Sequence, residues 1–352
     1  MDLSQLSPMM QHYMETKKEY PDCILFYRLG DFYEMFFDDA LTVSKELEIT
    51  LTGKDCGLSE RAPMCGVPFH ALDSYLYRLV QKGYKVAIAE QMEDPRQAKG
   101  LVKREVIRVV TPGTITSSQV LDETKNNYLM GIVYMDGIYG ISTADISTGD
   151  FMVTEVDSDR ELFDEINKFS PSEIICNNAF YMSGVDMDEL KNRYQVVISA
   201  LDSRFFGEES CRRILMEHFK VGALVGLGLE DYATGIIAAG AVMQYIYETQ
   251  KSTLEHITTI TPYSTGQYMV IDTSTRRNLE LVETMRGKTE ERHPAVGSGQ
   301  DKDSHGSQAA SRLHRTAADS QRRNHQAPER GGRAEHELYL PGRDMRVLKS
   351  HL

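Results

Sequence analysis

Leu25-Phe-Tyr-Arg-Leu-Gly-Asp-Phe-Tyr-Glu-Met-Phe36 places an aromatic ring and a carboxylate two residues apart, just ahead of a helix-like run. In an extended segment residues i and i+2 point the same way, so Phe32 and Glu34 share one face. A flat ring beside an acceptor suits a nucleobase, with the ring stacked on it and the carboxylate bonded to its edge. A blander reading uses the same residues. Asp31 caps a helix with Glu34 at its third position, and Phe32 becomes partly exposed core. In that helix the shared face disappears.

Outward from this segment, strands and helices alternate. Ser7-Pro8 reads as a cap with a first-turn proline opening a helix over Met9–Lys18. Cys23–Tyr27 is a short apolar strand. Asp38–Leu47 reads as a helix with Ala40, Leu41 and Ser44 inward, and Ala71–Lys82 as another with Leu72, Tyr75, Leu76 and Leu79 on one face. Lys85–Glu90 and Val106–Thr111 are β-branched strands, and Pro112-Gly113 closes a small α/β unit over residues 1–116.

A polar linker over 117–127 leads to a second unit, 128–228. Tyr128–Met135 and Tyr139–Asp145 flank Asp136-Gly137, a hairpin signal. Asp150–Glu155, the helix Arg160–Phe169 and the strand Glu173–Cys176 follow, an order that suits a mixed sheet with helices on its faces. From Leu229 a third piece is expected. Its long helix Ala233–Lys251 repeats Ile236, Ala239, Gly240, Met243, Ile246 and Tyr247 at helical spacing, with Gly240 admitting a close neighbour. The reading is of a helical domain that starts at 229–286, with that helix short of packing partners.

From Gly287 to Leu352 there is no Ile, Phe or Cys, while six of the ten histidines fall there. Composition alone predicts a disordered tail. Back-translation read one nucleotide out of register permits E-K-Q-K-N-G-T-L-L-W-V-L-D-K-T-K-T-A-M-G-A-R-L-L from Gly287 onward, which restores the missing apolar period. One inserted nucleotide near the Arg286 codon accounts for this. Resequencing across that codon is expected to show the slip, and an unambiguous in-frame read with no downstream continuation would refute it.

The formal charge of −13 is unlike the basic footprint of most nucleic-acid binders. The acids concentrate between about 121 and 250, however, and the first third is nearer neutral. Five cysteines without Cys-x-x-Cys spacing argue against a zinc site or a disulfide framework, and for a reducing compartment. No apolar run approaches membrane-spanning length, so a soluble cytoplasmic protein is expected.

Further motifs sharpen the first unit: Ser7-Pro-Met-Met-Gln-x-Tyr13 with Pro21-Asp22, Met64-Cys-Gly-Val-Pro-Phe-His-Ala71, Val86-Ala-Ile-Ala-Glu-Gln91 with Asp94-Pro95, and Arg108-Val-Val-Thr-Pro-Gly-Thr114. With Leu25–Phe36 they resemble the mismatch-recognition domain of the MutS family of DNA mismatch repair proteins. Gly140–Phe151 resembles that family's connector, and Asp272–Leu281 the opening of its lever and core. The resemblance covers about residues 1–286. It implies a ribonuclease-H-like α/β connector after the mixed α/β recognition domain, then the start of an α-helical lever. It also implies that Phe32 wedges beside a mispaired base and that Glu34 hydrogen-bonds to it. Arg28, Lys103, Arg104 and Arg108 are the candidate DNA-backbone contacts. The implied partners are mismatched double-stranded DNA and a downstream repair protein at the connector. A homodimer is a family feature that is in doubt for this chain.

The family's ATP and Mg belong to later domains, so no cofactor and no enzymatic activity are expected of these residues. Gly287-Lys288-Thr289 resembles the end of a phosphate-binding loop, but Val282 stands where the motif needs glycine. Two other classes compete. Asp136, Asp145 and Asp150 on a ribonuclease-H-like sheet suggest a two-metal nuclease, although acids at turns commonly serve local hydrogen bonding. An acidic connector also suits a purely protein-docking module. His70 lacks a nucleophile or partner acid, and a capping or hydrogen-bonding role is expected.

Overall fold

Two six-stranded sheets, each covered by helices on both faces, organise the computed structural model, which describes residues 3–93, 102–116 and 126–265. Residues 117–125, the lever-like segment Asp272–Leu281 and the tail 287–352 lie outside the described residues.

The first sheet is built from α1 (Pro8–Glu19), β1 (Cys23–Leu29), β2 (Phe32–Phe36), α2 (Phe37–Leu47), β3 (Thr52–Lys54), β4 (Ala62–Pro68), α3 (Leu72–Gln81), β5 (Lys85–Gln91) and β6 (Arg104–Val110), in strand order β3-β4-β2-β1-β5-β6. β1 and β5 are parallel; the other neighbours are antiparallel. The pleat splits β2 between two cores. Phe36 packs with Met10, Tyr13, Leu25 and Tyr27 under α1, while Tyr33 and Met35 pack with Ala40, Val43 and Leu79 under α2 and α3. Two details differ from expectation. Leu41 is exposed, and Val43 and Leu47 are the inward residues of α2. Ser7 stands at the helix N-cap, but its side chain makes no capping bond, and its backbone N–H donates to Cys56 O instead.

The second sheet contains β7 (Tyr128–Met135), β8 (Ile138–Asp145), β9 (Asp150–Val156), β10 (Glu173–Cys176), β11 (Val197–Ala200) and β12 (Thr261–Pro262), in order β11-β10-β7-β8-β9-β12. An antiparallel meander, β7-β8-β9, is extended by the parallel crossover strands β10 and β11. This is the ribonuclease-H-like arrangement expected. Asp136 and Gly137 both take positive φ, as a two-residue hairpin loop demands. On one face lie α4 (Asp159–Phe169), α5 (Asn178–Tyr181) and α6 (Met187–Tyr194); on the other lie α7 (Glu208–Phe219) and α8 (Ala233–Gln250).

The position of α8 overturns the expected third piece. Rather than opening a separate helical domain, α8 lies on β7, β8 and β9 and fills the centre of that core, with thirteen of its residues buried. The reason is visible in retrospect. Ala233–Tyr247 has no charged residue, and a helix apolar all round belongs inside a domain. Gly240 does admit a close neighbour, namely Cys211 of α7. A Cβ added at 240 would lie 2.3 Å from Cys211 Cβ and 2.5 Å from its Cα. Gly240→Val is expected to push α7 off α8 and cost about 3 kcal/mol, read as a lower urea midpoint. An unchanged midpoint would contradict this packing.

A polar joint links the two sheets. Glu173, fully buried in β10, accepts hydrogen bonds from Thr111 Oγ1 (2.5 Å), Gly113 N–H (3.1 Å) and Tyr245 OH of α8 (2.8 Å). Gln250 Nε2 donates to Thr114 O at 3.1 Å, and Lys251 Nζ to Val106 O at 2.9 Å and Tyr20 OH at 2.6 Å.

All five cysteines are free and buried. Burial pushes the Cys23 thiol up to about 11 and those of Cys65, Cys176 and Cys211 up to about 12. Their folded values lie above the unfolded value of 9.0, so their stabilising contribution is complete below pH 9 and is lost as pH rises through 11 to 12. Each thiol removes about 1.4 kcal/mol per pH unit across that window. Urea midpoints should hold level up to about pH 8.5 and fall steeply by about pH 10.5. A level profile throughout would count against buried thiols.

Candidate nucleic-acid interface

The tip of the β1–β2 hairpin is set by Gly30, which takes φ +60° in the two-residue loop between Leu29 and Phe32. Beyond the loop Phe32-Tyr33-Glu34 is a strand, so the helix-cap alternative is excluded. Phe32 and Glu34 therefore share a face, with Cα atoms about 6.7 Å apart. Phe32 stands opposite Pro68 of β4 and is 47% exposed, although phenylalanines are usually covered. Glu34 stands opposite Gly66. A Cβ there would lie 3.3 Å from Tyr33 O and 3.5 Å from Glu34 Cγ, a tight contact with the backbone and an ordinary one with the side chain.

Glu34 has a partner that sequence reading missed. Lys54 Nζ lies 2.5 Å from Glu34 Oε2, and it passes 5.6 Å from the centre of the Phe36 ring. The two residues are twenty apart in the chain and lie on strands separated by β4 in the sheet. No local pattern could have paired them.

The four expected backbone contacts fare differently. Arg104 is buried: Nε donates to Arg28 O at 2.8 Å, an Nη donates to Val102 O at 2.7 Å, and the guanidinium lies over the Tyr27 ring. A guanidinium held this way braces β6 against β1 and, contrary to expectation, is not presented to a phosphate. Arg28 donates to Gly30 O, pairs with Glu90 at 3.6 Å and stacks 4.1 Å from the Phe69 ring centre. Arg108 leans toward Asp73 of α3 at 3.9 Å, on the face opposite Phe32. Lys103 is exposed and sits 2.5 Å from Glu105.

Behind the hairpin, the Tyr33 hydroxyl donates to Glu90, and burial with that carboxylate pushes the phenol up. Phe69 is a second exposed ring at the tip, 43% exposed. Its N–H donates to Asp31 O, and its edge meets His70, which shows no catalytic partner.

The nuclease alternative loses its geometry. Asp145 is fully buried, and its carboxyl oxygens accept from Asn126 Nδ2, Asn127 N–H, Ser147 N–H and Ser147 Oγ. Asp150 is its cross-strand neighbour, whereas Asp136 is in the turn at the far end of the hairpin, about 24 Å away. Among the described residues no cluster of three or more His, Cys, Asp or Glu is placed to hold a metal. No described helix is long and apolar enough to cross a membrane.

A mixed α/β module with an exposed ring and a paired acid at one hairpin tip, joined to a ribonuclease-H-like α/β module, defines the class of protein. The two modules match known domains: residues 7–119 match MutS domain I, and residues 127–258 match MutS domain II, α8 included. The chain thus belongs to the MutS family over these two domains. The DNA mismatch repair protein MutS of Lachnoclostridium phytofermentans is 62% identical over 286 residues, covering 81% of this chain and 31% of that protein. Those of Acetivibrio thermocellus and Ruminiclostridium cellulolyticum are 54% and 51% identical, over 81% and 82% of this chain and 33% of each relative. The chain spans about a third of the length of these relatives.

Proposed function

We propose that this chain recognises mispaired or looped double-stranded DNA, with Phe32 as the wedge and Glu34 as the base contact. The observation that carries the reading is an exposed phenylalanine on the same strand face as a carboxylate, at the tip of MutS domain I. Wedging unstacks a base step and kinks the duplex, at a cost of a few kcal/mol. A mispaired site is already weakly stacked and deformable, so the cost falls there without any fixed base sequence. Stacking on the ring returns about 1–3 kcal/mol.

Glu34 works against ordinary duplex. A carboxylate near phosphates is repelled unless a disrupted base offers it a donor, which makes it an element of discrimination. Lys103 remains the most exposed candidate for a phosphate; Arg108 lies beside Asp73 on the face opposite Phe32, and Arg28 is committed to Glu90 and Phe69. The chain's own DNA contacts are few, so its affinity is expected to be low and salt-sensitive. Fluorescence titration of a heteroduplex against the matched duplex tests the proposal. Equal affinities for the two would refute it.

We assign the connector the role of docking a downstream repair protein, as the family implies. No phosphate-binding loop is complete in the sequence, because Val282 stands where its first glycine is needed, and no nucleotide-dependent step is assigned to these residues.

A further inference from the structure

Lys54 lies on the short edge strand β3 and reaches along the sheet face to Glu34. Its side chain is 32% exposed, against 16% for the carboxylate it holds. The pair therefore sits at the border between solvent and the proposed recognition face. The bond is charge-assisted and closes Glu34 in a nearly neutral unit, while the exposure of Lys54 keeps the pair weak enough to open. Gly66 stands opposite Glu34 and offers no side chain, and Lys54 Nζ donates to the carboxylate.

We propose that Lys54 is a positioning residue that exchanges partners during recognition. It holds Glu34 in a closed pair off DNA, and it moves to a phosphate when a disrupted base takes the carboxylate. The inference rests on the mismatch-recognition reading and adds a second source of discrimination to it. On a matched duplex the Watson–Crick donors are used in pairing and the bases stay stacked, so no freed pairing donor competes for Glu34 and the ion pair stays closed. Lys54 then makes no backbone contact. At a mispaired or unpaired base a free donor competes for the carboxylate. The released ammonium, on a flexible four-carbon stem at a sheet edge, becomes one additional phosphate contact. Wedge insertion and charge release thus occur together, and only on the damaged site.

The test is the salt dependence of DNA binding by the full chain, measured by fluorescence anisotropy. The probes are a matched duplex and the same duplex with one unpaired thymidine. One phosphate contact contributes about 0.9 to the slope of log affinity against log salt. The wild-type slope should be steeper on the unpaired-thymidine duplex by about 0.9. Lys54→Gln should make the two slopes equal, Lys54→Arg should restore the difference, and Glu34→Gln should steepen the matched-duplex slope because Lys54 is then always free. A purely structural role for Lys54 would leave every slope difference untouched. The exchange is overturned if Lys54→Gln preserves the slope difference, or if Glu34→Gln leaves the matched-duplex slope unchanged. A wild-type chain that prefers the unpaired-thymidine duplex with equal slopes loses this inference alone. A chain with no preference loses the recognition reading as well.

Discussion

Phe32→Ala is expected to bring the affinity for a heteroduplex down to that for the matched duplex while leaving the fold intact. The ring is 47% exposed and contributes little to either core, so truncation removes no buried packing. What it removes is the stacking return of about 1–3 kcal/mol on a base that is already loosely held, a loss of roughly 5- to 150-fold in heteroduplex affinity. Matched duplex never accepts the wedge cheaply, because a well-stacked step resists unstacking, so its affinity should barely move. Titrating both duplexes with wild type and variant, with circular dichroism as the control for folding, checks the outcome. A heteroduplex preference that survives Phe32→Ala would remove the ring from the mechanism. Phe69, the second exposed ring at the hairpin tip, would then be the next residue to truncate.

Glu173→Ala is expected to produce the largest stability loss among single substitutions at the joint between the sheets. The side chain is fully buried and accepts from a hydroxyl and a backbone N–H of the 111–114 turn and from a phenol of α8. Alanine leaves Gly113 N–H and Tyr245 OH without an acceptor, while Thr111 Oγ1 still has Thr114 Oγ1 at 2.9 Å. A stranded buried polar group costs about 1–3 kcal/mol, and two of them plus the cavity should total about 4 kcal/mol. Glu173→Gln keeps one acceptor oxygen and should lose roughly half of that. Urea denaturation measures the loss, and hydrogen exchange at Gly113 N–H shows where it arises. A wild-type midpoint with a still-protected Gly113 amide would show that the joint is held by other contacts.

The hairpin tip was half legible. Phe32-Tyr33-Glu34 read as an extended segment with ring and acid on one face or as a capped helix, and pairing of β2 with β1 and β4 decides for the strand. The β7–β8 hairpin was legible from a local signal, Asp136-Gly137 between apolar runs. β3 and β4 were not. Pro63, Gly66 and Pro68 interrupt the apolar pattern of β4, and only pairing with β2 holds that segment extended. α8 was recognised as a helix but misplaced, because one apolar stripe was read where the whole circumference is apolar. Its neighbours β7, β8 and β9 lie about a hundred residues earlier in the chain.

Among the charged residues, type and number say nothing about availability. Arg104 and Lys103 are adjacent and equally basic in the sequence, yet one is spent on two carbonyls and a ring while the other reaches solvent. The sequence by itself determined the α/β class and most of the local elements, because backbone periodicity and turn chemistry act over a few residues. The tertiary structure alone decided which cations reach solvent, that Phe32 and Glu34 share a strand face, where α8 belongs and that Lys54 holds Glu34. Those outcomes depend on strand order, which brings together side chains that nothing in the local sequence relates.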